Sequence, residues 1–157
     1  MEESLIKIPS SILREIYDHM EASYPHECCG LMIGTSTPSG QGDRVVHSAR
    51  RCRNLNTDRA HDRYDMDPMC WLKTEREFEG TPWSIIGIYH SHPDHPSRAS
   101  QTDTDAALGA GMVNYSYVIV SVQKGTVASA QSWVLNESEK KFYEEPLVVD
   151  EVEGDRV

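Results

Sequence analysis

The nine residues Ile85-Ile86-Gly87-Ile88-Tyr89-His90-Ser91-His92-Pro93 constrain this 157-residue chain more than any other stretch. A short, mostly apolar run with a proline behind it reads as a buried strand. Proline cannot donate to a ladder, so Pro93 ends the strand. Alternate side chains of a strand share a face. Ile86, Ile88, His90 and His92 are therefore expected on one side, apolar at first and finishing with two imidazoles at the carboxyl end. Two imidazoles held this close compete for protons, and a shared divalent cation resolves the conflict.

A third ligand has to come from elsewhere. Asp103 lies eleven residues after His92, inside Ser100-Gln101-Thr102-Asp103. A loop and the first turn of a helix can return that carboxylate to the strand end. Two histidines and an aspartate suit zinc, with a fourth position open to water as in catalytic sites. Ser100-x-x-Asp103 also has the form of a capping box with Asp in place of Glu. A cap can fix a ligand's direction, so the two readings are compatible. On spacing alone, Asp105 competes with Asp103.

The remainder reads as one domain of alternating elements. Residues 5–8 form a short strand. Pro9-Ser10-Ser11 opens a helix with a serine N-cap. Ile12, Ile16 and Met20 recur every four residues, giving about three turns that end before Pro25. Residues 29–34 are a buried strand, 35–42 a turn or hairpin loop, 44–50 a strand and 54–65 a long polar loop. Asp67-Pro68 starts a helix, Asp as N-cap and Pro at the first helical position. Met69, Leu72 and Phe78 give it a face, with Trp71 one residue off. Residues 100–110 form a short helix. Strands follow at 115–122, 127–134 and 141–148, the first two joined by a Lys124-Gly125 turn. The expected domain is 1–148, with an acidic, disordered tail at 149–157.

Composition narrows the function. Apolar residues are 38% and charged residues 25%, which is globular. No run reaches the roughly 18 apolar residues of a membrane span. The N-terminus begins acidic and lacks a long apolar core, so no secretory signal is expected and a cytoplasmic location is. The net charge is −10, half of it in residues 137–157, which argues against nucleic-acid binding. Cys28, Cys29, Cys52 and Cys70 form no C-x-x-C pair, so no zinc ribbon is indicated. All four are expected as free buried thiols, with Cys28 and Cys29 on opposite faces of a strand.

Taken together, His90-x-His92-Pro93, six residues, Ser100, two residues and Asp103 resemble the JAMM motif of the JAB/MPN+ metallopeptidases. Pro25-His26-Glu27-Cys28-Cys29-Gly30-Leu31-Met32-Ile33-Gly34 looks like that family's upstream element, with Glu27 in the place of its glutamate. The resemblance runs from about residue 8 to 134 and selects Asp103 over Asp105. It implies an α/β fold of the JAB/MPN, cytidine-deaminase-like kind: a curved mixed sheet flanked by helices. It implies one Zn2+ held by His90, His92 and Asp103. Glu27 would take a proton from the attacking water and pass it to the leaving amine. Ser100 would donate a hydrogen bond to the oxyanion. The implied reaction is hydrolysis of an amide or isopeptide bond after the C-terminal glycine of a ubiquitin-like protein. The short chain is similar to the stand-alone prokaryotic-type members, whose partners are sulfur-carrier proteins and among which homodimers occur.

Other residues near the motif stay open. His95 is a candidate substrate contact or a solvated loop residue. His26 is expected to point away from Glu27. His19, His47 and His61 show no partner pattern. Residues 54–67, with Arg59, His61 and Arg63, are a candidate substrate loop. The alternative functions are a general small-peptide or amide zinc hydrolase and a non-catalytic MPN interaction scaffold. A nucleobase deaminase is not supported, because no H-x-E paired with P-C-x-x-C occurs.

Overall fold

The computed structural model describes residues 4–36, 43–111 and 113–151. The expected loop at 35–42 falls mostly outside that set, as does the tail beyond 151. β1 (Ile6–Pro9) runs directly into α1 (Ser10–Ser23). The expected serine cap does not form: Pro9 occupies the N-cap position, and Ser10 is already helical. β2 (Cys29–Ser36) and β3 (Arg44–Cys52) pair antiparallel. α2 (Pro68–Glu77) begins as expected, with the Asp67 carboxylate accepting from Met69 N at 2.9 Å. β4 (Ser84–Pro93), α3 (Gln101–Ala110) and β5 (Ser116–Gln123) form a strand–helix–parallel strand crossover. β6 (Thr126–Asn136) and β7 (Lys141–Glu145) continue antiparallel. Lys124 and Gly125, both with positive φ, make the β5–β6 turn.

The last expected strand is divided. Pro146 breaks it into β7 and β8 (Leu147–Asp150), because proline cannot supply the next ladder N–H. β8 then pairs in parallel with β1, at the opposite end of the sheet from β7. The last strand therefore reaches Asp150, two residues past the expected boundary at Val148. The eight strands lie in the order β7-β6-β5-β4-β2-β3-β1-β8.

This sheet curls around α1. Leu13, Ile16 and Met20 of the helix are buried with Ile6 and Ile8 of β1, Val46 of β3, Tyr89 of β4 and Val118, Val120 and Val122 of β5. A second core lies on the other face, where Cys29, Leu31, Ile33, Ile88, Ala107 and Tyr117 pack against α2 and the outer aromatic residues. Of the face expected for α2, only Phe78 turns toward this core. Trp71 and Phe78 pack inward and Thr74 is buried, while Met69 and Leu72 are exposed. The stripe is thus rotated onto the residue that had looked out of phase.

β4 departs from strict alternation. Met32 pairs with Gly87 but Ile33 pairs with Ile85, so Ile86 is an extra residue in a β-bulge. Ile86 falls into the α1 core, whereas Ile85 and Ile88 pack in the other. The expectation that Ile86 shares a face with His90 fails for this reason. Gly87 allows the bulge to sit tightly: a Cβ there would lie 2.5 Å from Met32 Cε and 2.6 Å from Ser116 O.

Among the described residues no helix is long and apolar enough to cross a membrane.

Candidate metal centre

The site forms where β4 ends between an antiparallel and a parallel neighbour. Loops diverge at such a point and leave a crevice. His90 pairs with Cys29 of β2 and Ile119 of β5, and His92 pairs with Ser121. Both imidazoles face the α3 side. The chain then turns through Asp94, at φ 57°, whose carboxylate accepts from Tyr24 Oη at 2.6 Å and Lys124 N at 2.9 Å. This fixes the loop that delivers α3.

α3 places Asp103 by its cap. Ser100 Oγ accepts from Asp103 N at 3.1 Å, and Asp103 Oδ2 accepts from Ser100 N at 2.9 Å. The capping box is therefore real, and the same carboxylate is aimed at the histidines. His92 Nε2 lies 3.1 Å from Asp103 Oδ2, His90 Nε2 lies 3.3 Å from Asp103 Oδ1, and the two Nε2 atoms are 3.1 Å apart. Asp105 is engaged instead with Gln101, at 2.8 Å.

These three residues form the group able to hold a metal ion among the described residues. The donor set fits zinc. Ligand atoms 2.0–2.2 Å from one tetrahedral ion lie about 3.3 Å from each other, close to the separations found. His92 Nδ1 donates to Pro96 O at 2.8 Å, which leaves the Nε2 lone pair for a metal. Among the described residues the buried His90 Nδ1 has no hydrogen-bond partner, and its ring is instead held by Tyr64, with centroids 4.5 Å apart.

The two imidazoles sit in different electrostatic settings. Burial lowers the His90 pKa and so favours the neutral ligand form, although Asp103 opposes it. Burial would also lower His92, but its hydrogen bonds to Asp103 and Pro96 and the Asp103 charge outweigh that and raise it. Burial works to raise Asp103, yet His90, His92 and Ser100 N hold it well below the usual carboxylate range.

Glu27 arrives through β2. Ser91 N donates to Cys28 O at 3.1 Å and Cys28 N donates to Ser91 Oγ at 3.0 Å. Extending this register by one residue sets Glu27 across from His92, on the same face. Its side chain is buried, and burial pushes its pKa up to about 8 despite nearby His92. Cys28 and Cys29 are free and buried on opposite faces, as expected. Cys52 and Cys70 are not free: they form a disulfide, with Cα atoms 5.6 Å apart.

The other candidates separate clearly. His26 and His95 are exposed, and Arg59 pairs with Asp62. His61 is exposed beside Asp62. His47 stacks on Trp83, with centroids 3.8 Å apart. His19 has a buried partner after all, Tyr89 Oη at 2.6 Å from its Nδ1. Two residues of the 54–67 loop join the site without a motif to mark them. Tyr64 covers His90, and the Asn54 side chain ties the loop to Glu27. A lone aromatic in an otherwise polar loop was the available signal for Tyr64.

Comparison with known proteins agrees with this geometry. The family model of the prokaryotic homologs of the JAB domain matches residues 9–136. A desampylase of Haloferax volcanii is 29% identical over 111 residues, 71% of this chain and 73% of that protein. A tail tip assembly protein K of Escherichia phage N15 is 30% identical over 97 residues, covering 59% of this chain but only 34% of that protein. A solution structure of a Desulfitobacterium hafniense protein superposes with a TM-score of 0.77 at 26% identity, covering 94% of each chain. A Salinibacter ruber protein gives 0.68 at 32% identity, covering 94% of this chain and 93% of its own. With the family model spanning most of its length, the chain belongs to the prokaryotic homologs of the JAB domain.

Proposed function

We propose that this protein is a JAMM-type zinc metallopeptidase. It hydrolyses the amide or isopeptide bond after the C-terminal glycine of a ubiquitin-like or sulfur-carrier protein. The observation that carries this reading is the convergence of His90, His92 and Asp103 at 3.1–3.3 Å, with Glu27 buried close enough to feel the charges of His92 and Asp103. The likeness to a desampylase supports a ubiquitin-like partner.

His90 Nε2, His92 Nε2 and the Asp103 carboxylate hold one Zn2+. When bound, the ion supplies Lewis acidity and makes a water molecule a competent nucleophile near neutral pH. Glu27 accepts the proton of the attacking water and delivers it to the departing amine. Ser100 uses its one hydroxyl proton on the developing oxyanion, since its bond to Asp103 N engages only a lone pair. The Gly-Gly end of a carrier suits a narrow approach, because glycine brings backbone close without a side chain. The reaction belongs in the cytoplasm, with the carrier proteins.

The test uses zinc-reconstituted protein and a sulfur-carrier protein extended by a peptide beyond its Gly-Gly end. Mass spectrometry should find cleavage after the second glycine, and elemental analysis should find one zinc per chain. Glu27→Gln should keep the zinc and lose about 100- to 10,000-fold in turnover. Unchanged turnover in that variant removes Glu27 as the base. Absence of zinc removes the metal assignment. Cleavage of short unrelated peptides at the same rate favours a general amide hydrolase, and zinc binding without any cleavage favours a scaffold.

A further inference from the structure

Glu27 precedes the first ladder residue of β2, Cys29, so the sheet does not hold it directly. Both of its backbone polar groups end on the 53–67 loop. Glu27 N donates to Ala60 O at 2.5 Å, and Glu27 O accepts from Asn54 Nδ2 at 3.1 Å. A carboxamide has two N–H donors and an oxygen with two lone pairs. Asn54 uses all of them on main chain. Its second N–H donates to Arg63 O at 3.0 Å, and its Oδ1 accepts from Asn56 N and Asp65 N, each at 2.9 Å. One side chain thus joins the loop's entry, its exit and the Glu27 peptide. The strand-like bridge Asn54–Met66 closes the base of the same loop. The loop's exit also carries Tyr64 onto His90.

We propose that Asn54 is a positioning residue: its carboxamide locks the 53–67 loop to the Glu27 peptide and so aims the Glu27 carboxyl at the metal centre. The inference rests on Glu27 being the base of the proposed reaction. Misplacing a reacting group by about 1 Å can cost on the order of 100-fold in rate. Aspartate keeps the shape of asparagine but has no N–H for the Glu27 and Arg63 carbonyls. Glutamine carries the same groups one methylene too far. Alanine removes all four bonds.

Asn54→Ala and Asn54→Asp are compared with the parent in cleavage of the extended sulfur-carrier protein, each alone and in the Glu27→Gln background. Each single variant should lower kcat on the order of 100-fold, with KM changed less than about threefold and zinc content held at one per chain. Amide exchange at Glu27 N–H should speed up, because its partner at Ala60 is no longer fixed. In the Glu27→Gln background the same substitutions should cost nothing more, since a group acting through Glu27 has nothing left to aim. An unchanged kcat, or a loss that multiplies with that of Glu27→Gln, overturns the proposal. Failure of both variants to fold also overturns it, making Asn54 a structural strut. If Glu27→Gln keeps full activity, the underlying reading falls. If Glu27→Gln is inactive while the Asn54 variants run at full rate, only the role of Asn54 falls.

Discussion

At Ser100 the capping bond and the proposed oxyanion bond compete for nothing, because one uses a lone pair and the other the proton. The two can still be separated by substitution. Ser100→Ala should destabilise the fold by about 1 kcal/mol through the lost cap and lower turnover about 100- to 1,000-fold. Ser100→Gly costs only a few tenths of a kcal/mol as a cap, yet it should lose the same turnover. If Gly restores the rate, the cap was the whole contribution. His19 makes a prediction about acid. Burial, with help from Arg51, lowers its pKa from 6.5 to about 4. Between those values the unfolded chain binds the extra proton, so stability is retained above about 6.5 and lost as pH falls toward 4. Urea titrations at pH 7 and 4.5 should show a smaller acid loss for His19→Phe than for the parent. At this scale the sequence was readable where partners are near in the chain. His90 and His92 are two residues apart on a strand, and Ser100 and Asp103 are three apart on a helix start. Tyr64 was marked only as the lone aromatic of its loop and Asn54 not at all, because their partners lie 26 and 27 positions away in the chain.

Among elements, the 53–67 loop matters most, and a covalent bond closes it. Cys52 ends β3 and Cys70 lies in the first turn of α2, 18 positions apart. A cross-link over such a span is worth about 3 kcal/mol in the chain-entropy account. Denatured, unreduced protein should therefore titrate with two thiols, those of Cys28 and Cys29. Reduction, or Cys52→Ser with Cys70→Ser, should lower unfolding free energy by about that amount; four titrating thiols would disprove the pairing. Since reducing compartments rarely keep disulfides, the same titration on freshly lysed cells bears on the proposed cytoplasmic setting. Cysteine spacing did not reveal the pair, because only the folded return of the loop brings the two residues together. Helix and strand identities were legible from their periods, as in α1. The inward side of α2 was legible only at Phe78, because Trp71 packs on the aromatic surface it meets while Met69 and Leu72 stay exposed.

The whole molecule depends on a sheet that curls far enough for its two ends to share one chain segment at Pro146. Buried Arg44 of β3 faces Glu145 of β7 across this closure, and Ser116 Oγ bridges them, accepting from Arg44 Nη1 at 3.1 Å and donating to Glu145 Oε1 at 2.5 Å. Ser132 Oγ also donates to Glu145 Oε1, at 2.9 Å. Glu145→Leu removes the buried carboxylate that attracts Arg44 and accepts from Ser116 and Ser132, and should cost about 3–5 kcal/mol. Zinc content below the melting temperature should stay at one per chain, because the metal centre is at the far end of β5 from Ser116. Loss of zinc with the fold intact would contradict that separation. The order of elements along the chain followed from sequence, but β8 beside β1 did not, since nothing local links positions 6 and 147. Between these two ends, the bulge at Ile86 acts as a joint in β4. Upstream of it the strand keeps one parity, and from Gly87 onward it keeps another, set by the imidazoles. Residues can therefore be gained or lost on the upstream side of the joint without turning the ligands over. Between Gly87 and His92 a single gain or loss would exchange inside for outside and carry a ligand into the space around α1. The chain's tolerance for length variation is thus divided at one residue, and the reactive half has none.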